Sequence, residues 1–284
     1  MIKNTVSVII PTLNRRYFLL EAIDSIFSQT LLPDEVIVVD CGSKDNTKDA
    51  VYEYPKPIRF IETKISGASA QRNIGISKAI GNFIAFLDDD DMWHPEKLKI
   101  QMEFLKTHPE ISMVSSENVR IKHDIKIKEP NWLFGDLYAK LFMKSFIHTS
   151  TAIIKKSVFD EIGGFNENYI RAEDYDMWLR ISRSFSLAHI KSPLAWIRKC
   201  KTRLSNDKID LRNTAKEVLQ KQYDPDKISK SKYNKRISGL EISLGRRYVM
   251  AGNKEEGKKQ FLSAIKRYPY STRPYRYLLS AIIR

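Results

Sequence analysis

The stretch from Phe83 to Trp93, FIAFLDDDDMW, constrains this chain more than any other. It begins with apolar residues that have the composition of a buried strand, and four consecutive aspartates follow at once. Four carboxylates at the end of a strand repel one another, so a fold that places them there normally supplies a cation. Oxygen ligands at i and i+2, such as Asp88 and Asp90, suit Mg²⁺ or Mn²⁺. A solvated acidic turn before the next helix is the alternative.

Three apolar runs that precede this stretch alternate with residues at helical spacing. The runs are Val6 to Pro11, Glu35 to Val39 and Ile58 to Ile61. The alternation predicts a parallel sheet wound with helices. In such sheets ligands bind beyond the carboxyl ends of the strands. The polar residues that follow the strands are Thr12, Asn14, Asp40 and the four aspartates.

Charge is distributed unevenly along the chain. The 284 residues carry a formal net charge of +14, and residues 201–284 contain 21 Lys and Arg against 8 Asp and Glu. This basic part suits anionic lipid, nucleic acid or an acidic partner, and charge alone does not choose among them. Because no apolar run reaches membrane-spanning length and no signal-peptide pattern occurs, we expect a cytoplasmic protein, with contact to the inner face of the membrane left open.

Several motifs together resemble the family 2 glycosyltransferases, enzymes of the GT-A fold that transfer a sugar from a nucleotide diphosphate. The matching stretches are SVIIPTLNR, VIVVDCGSKDNT, GASAQRNIGI and FIAFLDDDDMWHPEKL, in the family's order, and later IGGFNENYIRAEDYDMWLRIS. The resemblance implies an α/β GT-A fold over residues 1–200, with a doubly wound, mostly parallel sheet flanked by helices. No GxGxxG or GxxxxGK[ST] follows the first strand, which disfavours dinucleotide-binding and P-loop proteins.

The resemblance also implies a donor site at the strand ends. Glycosyl transfer puts negative charge on the leaving diphosphate, which bound Mn²⁺ or Mg²⁺ stabilises. By the family pattern Asp90 and Asp88 hold the metal and Asp40 hydrogen-bonds the nucleotide base. A purely structural role stays open for Arg72 and Asn73. The donor-side residues implied are Pro11, Thr12, Asn14, Asp40, Arg72, Asn73, Asp88 and Asp89.

On the acceptor side, Asp174 matches the family's catalytic base. Such a carboxylate takes the proton of the acceptor hydroxyl, and a single displacement inverts the anomeric configuration. A helix that begins near Glu173 places Asp174 in its first turn, where the helix dipole favours the ionised carboxylate. Plain first-turn acids and a core tryptophan remain the structural alternatives. The acceptor residues implied are Glu173, Trp178, Thr149 and Ser150.

Two positions depart from the family pattern. Cys41 follows Asp40, where many relatives have a second acid. Later, Arg198 is followed by Lys199 and Cys200, whereas the family often has a His two residues after the Arg. Arg198 is therefore the candidate that supplies positive charge to the leaving group.

The C-terminal part is predicted to be helical. Residues 201–235 resemble a polar connector with one helix near 208–222, and residues 236–284 a basic helical segment. From Leu240 to Pro269 the spacing matches a tetratricopeptide repeat, except at Glu241, where Trp is usual, and at Gly257, where Ala is usual. One repeat is too little for a free-standing array, so we expect it to dock on the first domain or on another copy, which leaves a homodimer open.

The last predicted helix, Tyr275 to Arg284, combines aromatic and aliphatic residues with arginines. This composition suits peripheral contact with an anionic membrane, and a solvated basic face is the alternative.

Taken together, the sequence predicts an inverting, metal-dependent glycosyltransferase of the hexosyltransferase type. Its donor is a nucleotide-diphosphate sugar, with UDP as the default nucleotide. Its acceptor is a saccharide, a lipid-linked compound or a protein, in the synthesis of a surface polysaccharide, glycolipid or glycoprotein glycan. The alternative is a catalytically inactive, glycosyltransferase-like scaffold that acts through its basic helical tail. Nucleic acid is not an expected partner.

Overall fold

The computed structural model describes residues 4–120, 131–198 and 208–283. Within these ranges, no helix combines the length and the apolar character that a membrane span requires.

The chain divides into two compact units. The first comprises Met1–Leu137 and Phe146–Cys200, and the second comprises Tyr138–Ser145 and Lys201–Arg284. A short segment from the middle of the chain therefore belongs with the C-terminal helices, which the sequence did not indicate. The three-part division drawn from the sequence stays a prediction.

Strands and helices alternate in the N-terminal part of the first unit, as predicted. Val and Ile dominate its strands because branched side chains fit a buried pleated surface. In the first helix the apolar residues at intervals of three and four are buried, so one face packs on the sheet. The elements are β1 (Val6–Thr12), α1 (Arg16–Phe27), β2 (Glu35–Asp40), α2 (Thr47–Tyr52), β3 (Arg59–Glu62), α3 (Ala68–Lys78) and β4 (Phe83–Phe86).

The following part of the chain has shorter strands and less regular connections. A single turn of 3-10 helix at Thr149–Thr151 precedes the strand Ile153–Lys155. The helix Tyr138–Met143 is the segment that belongs to the second unit. The elements are β5 (Asp91–Trp93), α4 (Lys97–Thr107), β6 (Ile111–Val119), β7 (Trp132–Gly135), α5 (Tyr138–Met143), β8 (Ile153–Lys155), α6 (Lys156–Ile162), α7 (Glu173–Ser184) and β9 (Ser186–Ile197).

The described strands form one mixed sheet in the order β3-β2-β1-β4-β8-β6-β9-β5, with β7 also paired to β9. Strands β3, β2, β1 and β4 are parallel neighbours. Strand β8 is antiparallel to both of its neighbours, and β5 and β7 are antiparallel to β9. The α/β class with helices beside a sheet is confirmed, and the antiparallel strands are an addition that local patterns did not indicate.

The parallel half of the sheet places its polar residues at one edge. Thr12 at the end of β1 is in register with Asp40 at the end of β2. On the other side of β1, the Leu87 N–H donates to the Ile9 carbonyl just before the aspartates begin. Because these strands run in the same direction, their carboxyl ends gather the predicted donor-side residues.

The described part of the second unit is helical, as predicted. The helices Lys230–Met250 and Lys254–Arg267 approach closely at two glycines. A methyl group on Gly245 would lie 2.5 Å from the Phe261 ring, and one on Gly257 would lie 2.5 Å from Val249. The tetratricopeptide identity of this helix pair stays a prediction. The helices are α8 (Lys208–Lys221), α9 (Lys230–Met250), α10 (Lys254–Arg267) and α11 (Arg273–Ile283).

Helix α5 is held in the second unit by aromatic and polar contacts. The Phe142 ring lies 6.3 Å from both the Tyr223 and the Tyr233 rings. Nε of Arg236 donates to the Phe142 carbonyl at 3.1 Å, and the Tyr138 hydroxyl donates to the Gln222 carbonyl.

Candidate active site

The loops that follow β1 and β2 are joined by hydrogen bonds. The Asn14 side-chain oxygen accepts from the Lys44 N–H at 2.7 Å, and the Asn14 N–H donates to the Ser43 hydroxyl at 2.7 Å. Asn14 is left-handed, with φ at 53°, which asparagine tolerates better than most residues. Asp40 is buried, and one of its oxygens accepts from the N–H groups of Gly42 and Ser43 at 3.0 and 2.9 Å. These bonds fix the edge of the predicted base pocket.

Two of the four aspartates face Arg15. Its Nη1 lies 2.9 Å from Asp89 and 3.3 Å from Asp90. Asp89 also accepts from the Thr12 hydroxyl at 2.9 Å. Burial raises the pKa of Asp89 to about 6, although Arg15 and Thr12 oppose the rise. The aspartate run is therefore neutralised in part by the chain's own arginine.

The other two aspartates lie beside His148. Ligand atoms of Asp88, Asp91 and His148 all lie within 4.8 Å of one another. Asp91 is fully buried, and it accepts a 2.6 Å hydrogen bond from the Ser150 hydroxyl. The same hydroxyl accepts a hydrogen bond from the Asp88 N–H. Two carboxylates and an imidazole are a donor set that suits Mn²⁺. The described residues thus fit the divalent ion that the sequence predicts.

Arg72 connects the aspartate run to the beginning of α7. Its two terminal nitrogens lie 2.7 Å from Asp88 and 3.0 Å from Glu173. The guanidinium is fully enclosed and lies over the Phe165 ring, 5.3 Å from the centroid. Burial lowers the pKa of Arg72, but Asp88 and then Glu173 outweigh it and hold that pKa above its ordinary value. Arg72 therefore remains charged and joins residues from two distant parts of the chain.

Asp174 lies in the first turn of α7, as predicted. Ala172, the residue before the helix, has a left-handed backbone conformation with φ at 56°. Burial and the neighbouring Glu173 raise the pKa of Asp174 to about 6, against the opposing effects of His148 and Arg72. The helix dipole, which the sequence led us to emphasise, is therefore the weaker influence, because desolvation of a buried carboxylate acts more strongly.

Comparison with protein-family models shows to which family the chain belongs. The model described as Glycosyl transferase family 2 matches residues 7–163, more than half of the chain. The chain belongs to glycosyl transferase family 2.

Two bacterial glycosyltransferases are similar to the chain in sequence. A protein of Escherichia coli, UDP-Glc:alpha-D-GlcNAc-diphosphoundecaprenol beta-1,3-glucosyltransferase WfgD, is 30% identical over 229 residues, which are 77% of this chain and 84% of that protein. An uncharacterised glycosyltransferase of Rickettsia felis is 32% identical over 197 residues, 68% of this chain but 33% of that protein. The chain therefore spans about a third of the length of this rickettsial family 2 relative.

The solved structures resemble the chain over a larger share of its length than the sequence relatives do. Residues 1–349 of S. aureus TarS superpose with a TM-score of 0.68 at 17% identity, over 93% of this chain and 81% of that one. The mannosyltransferase PcManGT from Pyrobaculum calidifontis, in complex with GDP-Man and Mn²⁺, gives 0.61 at 19% identity, over 98% and 86%. These similarities show the fold alone, and with the family match they confirm the predicted GT-A fold.

In this family 2 chain, Asn73 supports a loop. Its side-chain amide donates to the Phe165 carbonyl and to Glu167, and its oxygen accepts from the Phe165 N–H at 2.7 Å. A methyl group on Gly164 would lie 2.3 Å from that oxygen, so glycine is required at this approach. Asn73 thus anchors the loop that leads to α7, which is the structural alternative that the sequence left open.

Three of the predicted acceptor residues are buried, and their acceptor roles stay predictions. Trp178 is completely buried and packs edge-on against Phe165, so its ring offers no face to a sugar. Ser150 is also completely buried, and its hydroxyl supports Asp88 and Asp91. Thr149 is 3% exposed and lies in the same 3-10 turn. Of the predicted acceptor residues, Glu173 is the one that pairs with Arg72.

Arg198 makes different contacts from those expected. Its guanidinium pairs with Glu21 and lies 4.9 Å from the centroid of the Phe18 ring on α1. Its backbone N–H donates to Asp91 at 3.2 Å, and its Nε donates to the Asp90 carbonyl at 3.2 Å. Arg198 therefore supports the aspartate loop, and its role toward the leaving group stays a prediction. Lys199 and Cys200 lie outside the described residues.

Three residues of this site were not assigned to the diphosphate or the metal from the sequence. Arg15 faces Asp89 and Asp90, and Asp91 and His148 join Asp88. An available signal for Arg15 was its place in a pair of arginines directly after the strand that neighbours the acidic one. For His148 no local signal exists, since it approaches the aspartates only through the sheet pairing of β8 with β4.

Proposed function

We propose that this chain is an inverting glycosyltransferase that moves a sugar from a nucleotide-diphosphate donor to an acceptor hydroxyl. One observation carries the proposal: Arg72 joins Asp88 to Glu173, so the donor-side carboxylates lie beside the first turn of α7, where Asp174 is found. Donor and acceptor groups need this proximity for a single displacement.

On the donor side, the strand ends offer a pocket for the nucleotide. Pro11, Thr12, Asn14 and Asp40 line the edge where β1 and β2 end, with Asp89 beyond Thr12. UDP is the proposed nucleotide; it is supported by the name of the E. coli relative and by the solved complex of TarS with UDP-GlcNAc. Arg15, whose Nη1 lies 2.9 Å from Asp89 and 3.3 Å from Asp90, is proposed to face the diphosphate, because a guanidinium pairs well with phosphate oxygens.

A divalent ion, Mn²⁺ or Mg²⁺, is proposed to be held by Asp88 together with nearby ligands. When bound, the ion would stabilise the negative charge of the diphosphate. The family pattern supplies Asp90 as the second ligand, whereas the side-chain cluster supplies Asp91 and His148. An imidazole ligand favours Mn²⁺ over Mg²⁺.

Asp174 is proposed as the general base. It takes the acceptor hydroxyl proton while the acceptor oxygen bonds to the anomeric carbon, and the bond from that carbon to the diphosphate oxygen breaks with its electron pair leaving on the diphosphate. Attack on the face opposite the leaving group inverts the configuration. A pKa of about 6 leaves Asp174 ionised at neutral pH and basic enough to assist.

Exchange of the base tests this assignment. Asp174→Asn should keep nucleotide affinity and lower kcat by about 10²- to 10⁴-fold, because the amide cannot accept the proton. Asp160→Asn, at an exposed position on α6, is the matched control and should leave kcat unchanged. Normal turnover in Asp174→Asn would remove Asp174 from the mechanism.

Calorimetric titration of UDP, GDP, dTDP and CMP, with and without Mn²⁺, tests the donor site and its metal. One diphosphate should bind in a metal-dependent way, and Asp88→Asn should abolish this dependence. If Asp90→Asn loses metal-dependent binding and His148→Ala keeps it, the metal ligands are those of the family pattern. If His148→Ala loses it and Asp90→Asn keeps it, the ligands are those of the side-chain cluster. Absence of nucleotide binding in a folded protein would favour the inactive scaffold.

The acceptor is proposed to be a saccharide, a lipid-linked compound or a protein, as part of a surface polysaccharide, glycolipid or glycoprotein glycan. The C-terminal helix α11 is proposed to contact the inner face of the membrane. It is supported by the exposed Tyr275 and Leu279, one turn apart, and by the exposed Arg273 and Arg276. A tetratricopeptide-like pairing of α9 with α10 and a homodimer remain further proposals.

Replacing Tyr275 and Leu279 together by Ser tests the membrane contact. Sedimentation with vesicles of phosphatidylglycerol should fall, and unchanged sedimentation would exclude α11 as the contact.

A further inference from the structure

Two arginines of the second unit lie side by side on neighbouring helices. Nε of Arg212, on α8, donates to the hydroxyl of Ser243, on α9, at 2.5 Å, and its Nη1 donates to the Lys208 carbonyl at 3.0 Å. Arg247 follows Ser243 by four residues, so it lies on the same face of α9. Both arginine side chains are half-buried.

These arginines are close enough to repel each other. Burial and then the charge of Arg247 lower the pKa of Arg212 below its ordinary value. In the described part of the chain, no acidic side chain forms an ion pair with either guanidinium. Two adjacent positive charges that are partly desolvated are unfavourable unless an anion joins them.

Four other cations of the same unit are paired with acids. Lys216 and Arg267 both contact the buried Glu241, at 2.9 and 3.1 Å. Lys258 pairs with Glu255 and Lys259 with Glu256 on the surface of α10. The pair Arg212 and Arg247 differs from these four cations in lacking a carboxylate.

We propose that Arg212, Ser243 and Arg247 form a binding site for a phosphate group. Two guanidinium groups offer planar N–H donors that match phosphate oxygens. The Ser243 hydroxyl already accepts from Arg212, so its own proton is directed to another acceptor, which a phosphate oxygen supplies. The ligand class is a phosphate ester or free phosphate, and the site is independent of the proposed glycosyl transfer.

Inorganic phosphate is the first probe. In the full chain, at constant ionic strength, in EDTA and with chloride as the reference anion, phosphate should raise Tm by several degrees. Arg247→Gln, which removes no hydrogen bond formed within the described residues, should abolish the increase, and Arg247→Lys should reduce it. The double variant Lys258→Gln, Lys259→Gln removes two positive charges elsewhere in the same unit and should keep the full increase.

A second arm distinguishes a lipid headgroup from free phosphate. Vesicles of phosphatidylglycerol in phosphatidylcholine should sediment the wild type, and Arg247→Gln should lower that binding more than the control does if the source is lipid. Equal vesicle binding together with a phosphate response that depends on Arg247 assigns the site to a soluble phosphate compound. The proposal fails if phosphate gives no more stabilisation than chloride, or if the control variant loses the response as fully as Arg247→Gln.

Discussion

Arg72 is the residue through which the two sides of the candidate site contact each other. It is 3% exposed, it pairs with Asp88 and Glu173, and the latter lies 101 residues further along the chain. A buried charge with two partners contributes little net stability as a pair but costs much when one partner is removed. Its main consequence is that the positions of Asp88 and Glu173 depend on one another.

The exchange Arg72→Met should destabilise the protein by about 3 kcal/mol, because it leaves two carboxylates without their shared cation. Urea denaturation measures this loss. Arg59→Met removes an exposed arginine that pairs with Glu35, and its cost should stay below about 1 kcal/mol. Equal stability of the two variants would contradict the role assigned to Arg72.

Lys97 is a second residue whose burial has a consequence. It is completely buried in the first turn of α4, and its amine forms no hydrogen bond with any residue that the structure describes, although it lies 4.1 Å from the centroid of the Trp93 ring. Burial lowers the pKa of Lys97 well below its ordinary value. The unfolded chain therefore binds a proton that the folded chain binds weakly.

Replacement of Lys97 by Met should stabilise the protein by about 1 to 3 kcal/mol at neutral pH, since the apolar stem is kept and an unsatisfied buried amine is removed. The penalty in the wild type appears as pH falls below the unfolded pKa of about 10.5 and is complete below the lowered folded pKa. The advantage of the variant should therefore shrink as pH rises above 10. Denaturation of both proteins at pH 7.5 and 10.5 measures this, and an advantage independent of pH would contradict it.

At the scale of elements, the close approach of α9 and α10 depends on glycine. A methyl group on Gly245 would lie 2.5 Å from Phe261 and 2.9 Å from the Gly257 carbonyl. Gly239, two turns earlier on α9, has no neighbouring atom within 4 Å of such a methyl group. An alanine at Gly245 therefore tests close packing, whereas an alanine at Gly239 tests only the effect on the backbone of the same helix.

We expect Gly245→Ala to destabilise the protein by about 1 to 3 kcal/mol through overpacking. In contrast, Gly239→Ala should stabilise it by about 0.5 to 1 kcal/mol, because alanine restricts the unfolded chain and favours the helix. Thermal unfolding monitored by helical circular dichroism would show opposite shifts of Tm. Shifts of the same sign would mean that α9 and α10 do not approach as closely as described.

At the scale of the whole molecule, α5 belongs to a unit formed mostly by the C-terminal helices. Tyr138, Leu141 and Phe142 are buried, and Phe142 contacts aromatic rings of residues that follow position 208. A chain cut at the apparent domain boundary near residue 200 would lose these partners. Exposed apolar patches of this kind promote association.

A fragment that ends at residue 200 should therefore aggregate, whereas the full chain should remain soluble. Replacing Leu141 and Phe142 by Gln within the fragment should restore a soluble species, because the apolar surface is then reduced. Size-exclusion chromatography of the three proteins distinguishes these results. A monomeric, unmodified fragment would show that α5 does not need the C-terminal helices.

The parallel part of the sheet was predictable because its signals are local. Val6 to Pro11 and Glu35 to Val39 have the composition of buried strands, and both became strands within one residue of the expected ends. The start of α7 at Glu173 was equally local, as was the helix α8 near residue 208. In contrast, β8 shows no sign in its sequence of running antiparallel between β4 and β6.

The sequence by itself determined the fold class and the edge of the sheet where polar groups gather, because these follow from periodicity and from side chains adjacent to strand ends. The chemistry of the site stays a prediction. Only the tertiary structure decided which groups face one another. It placed Arg15 against Asp89, His148 beside Asp91 and the Trp178 ring in the core. The physical reason is that these contacts join residues far apart in the chain, and their partners are set by strand pairing and packing, which no local pattern encodes.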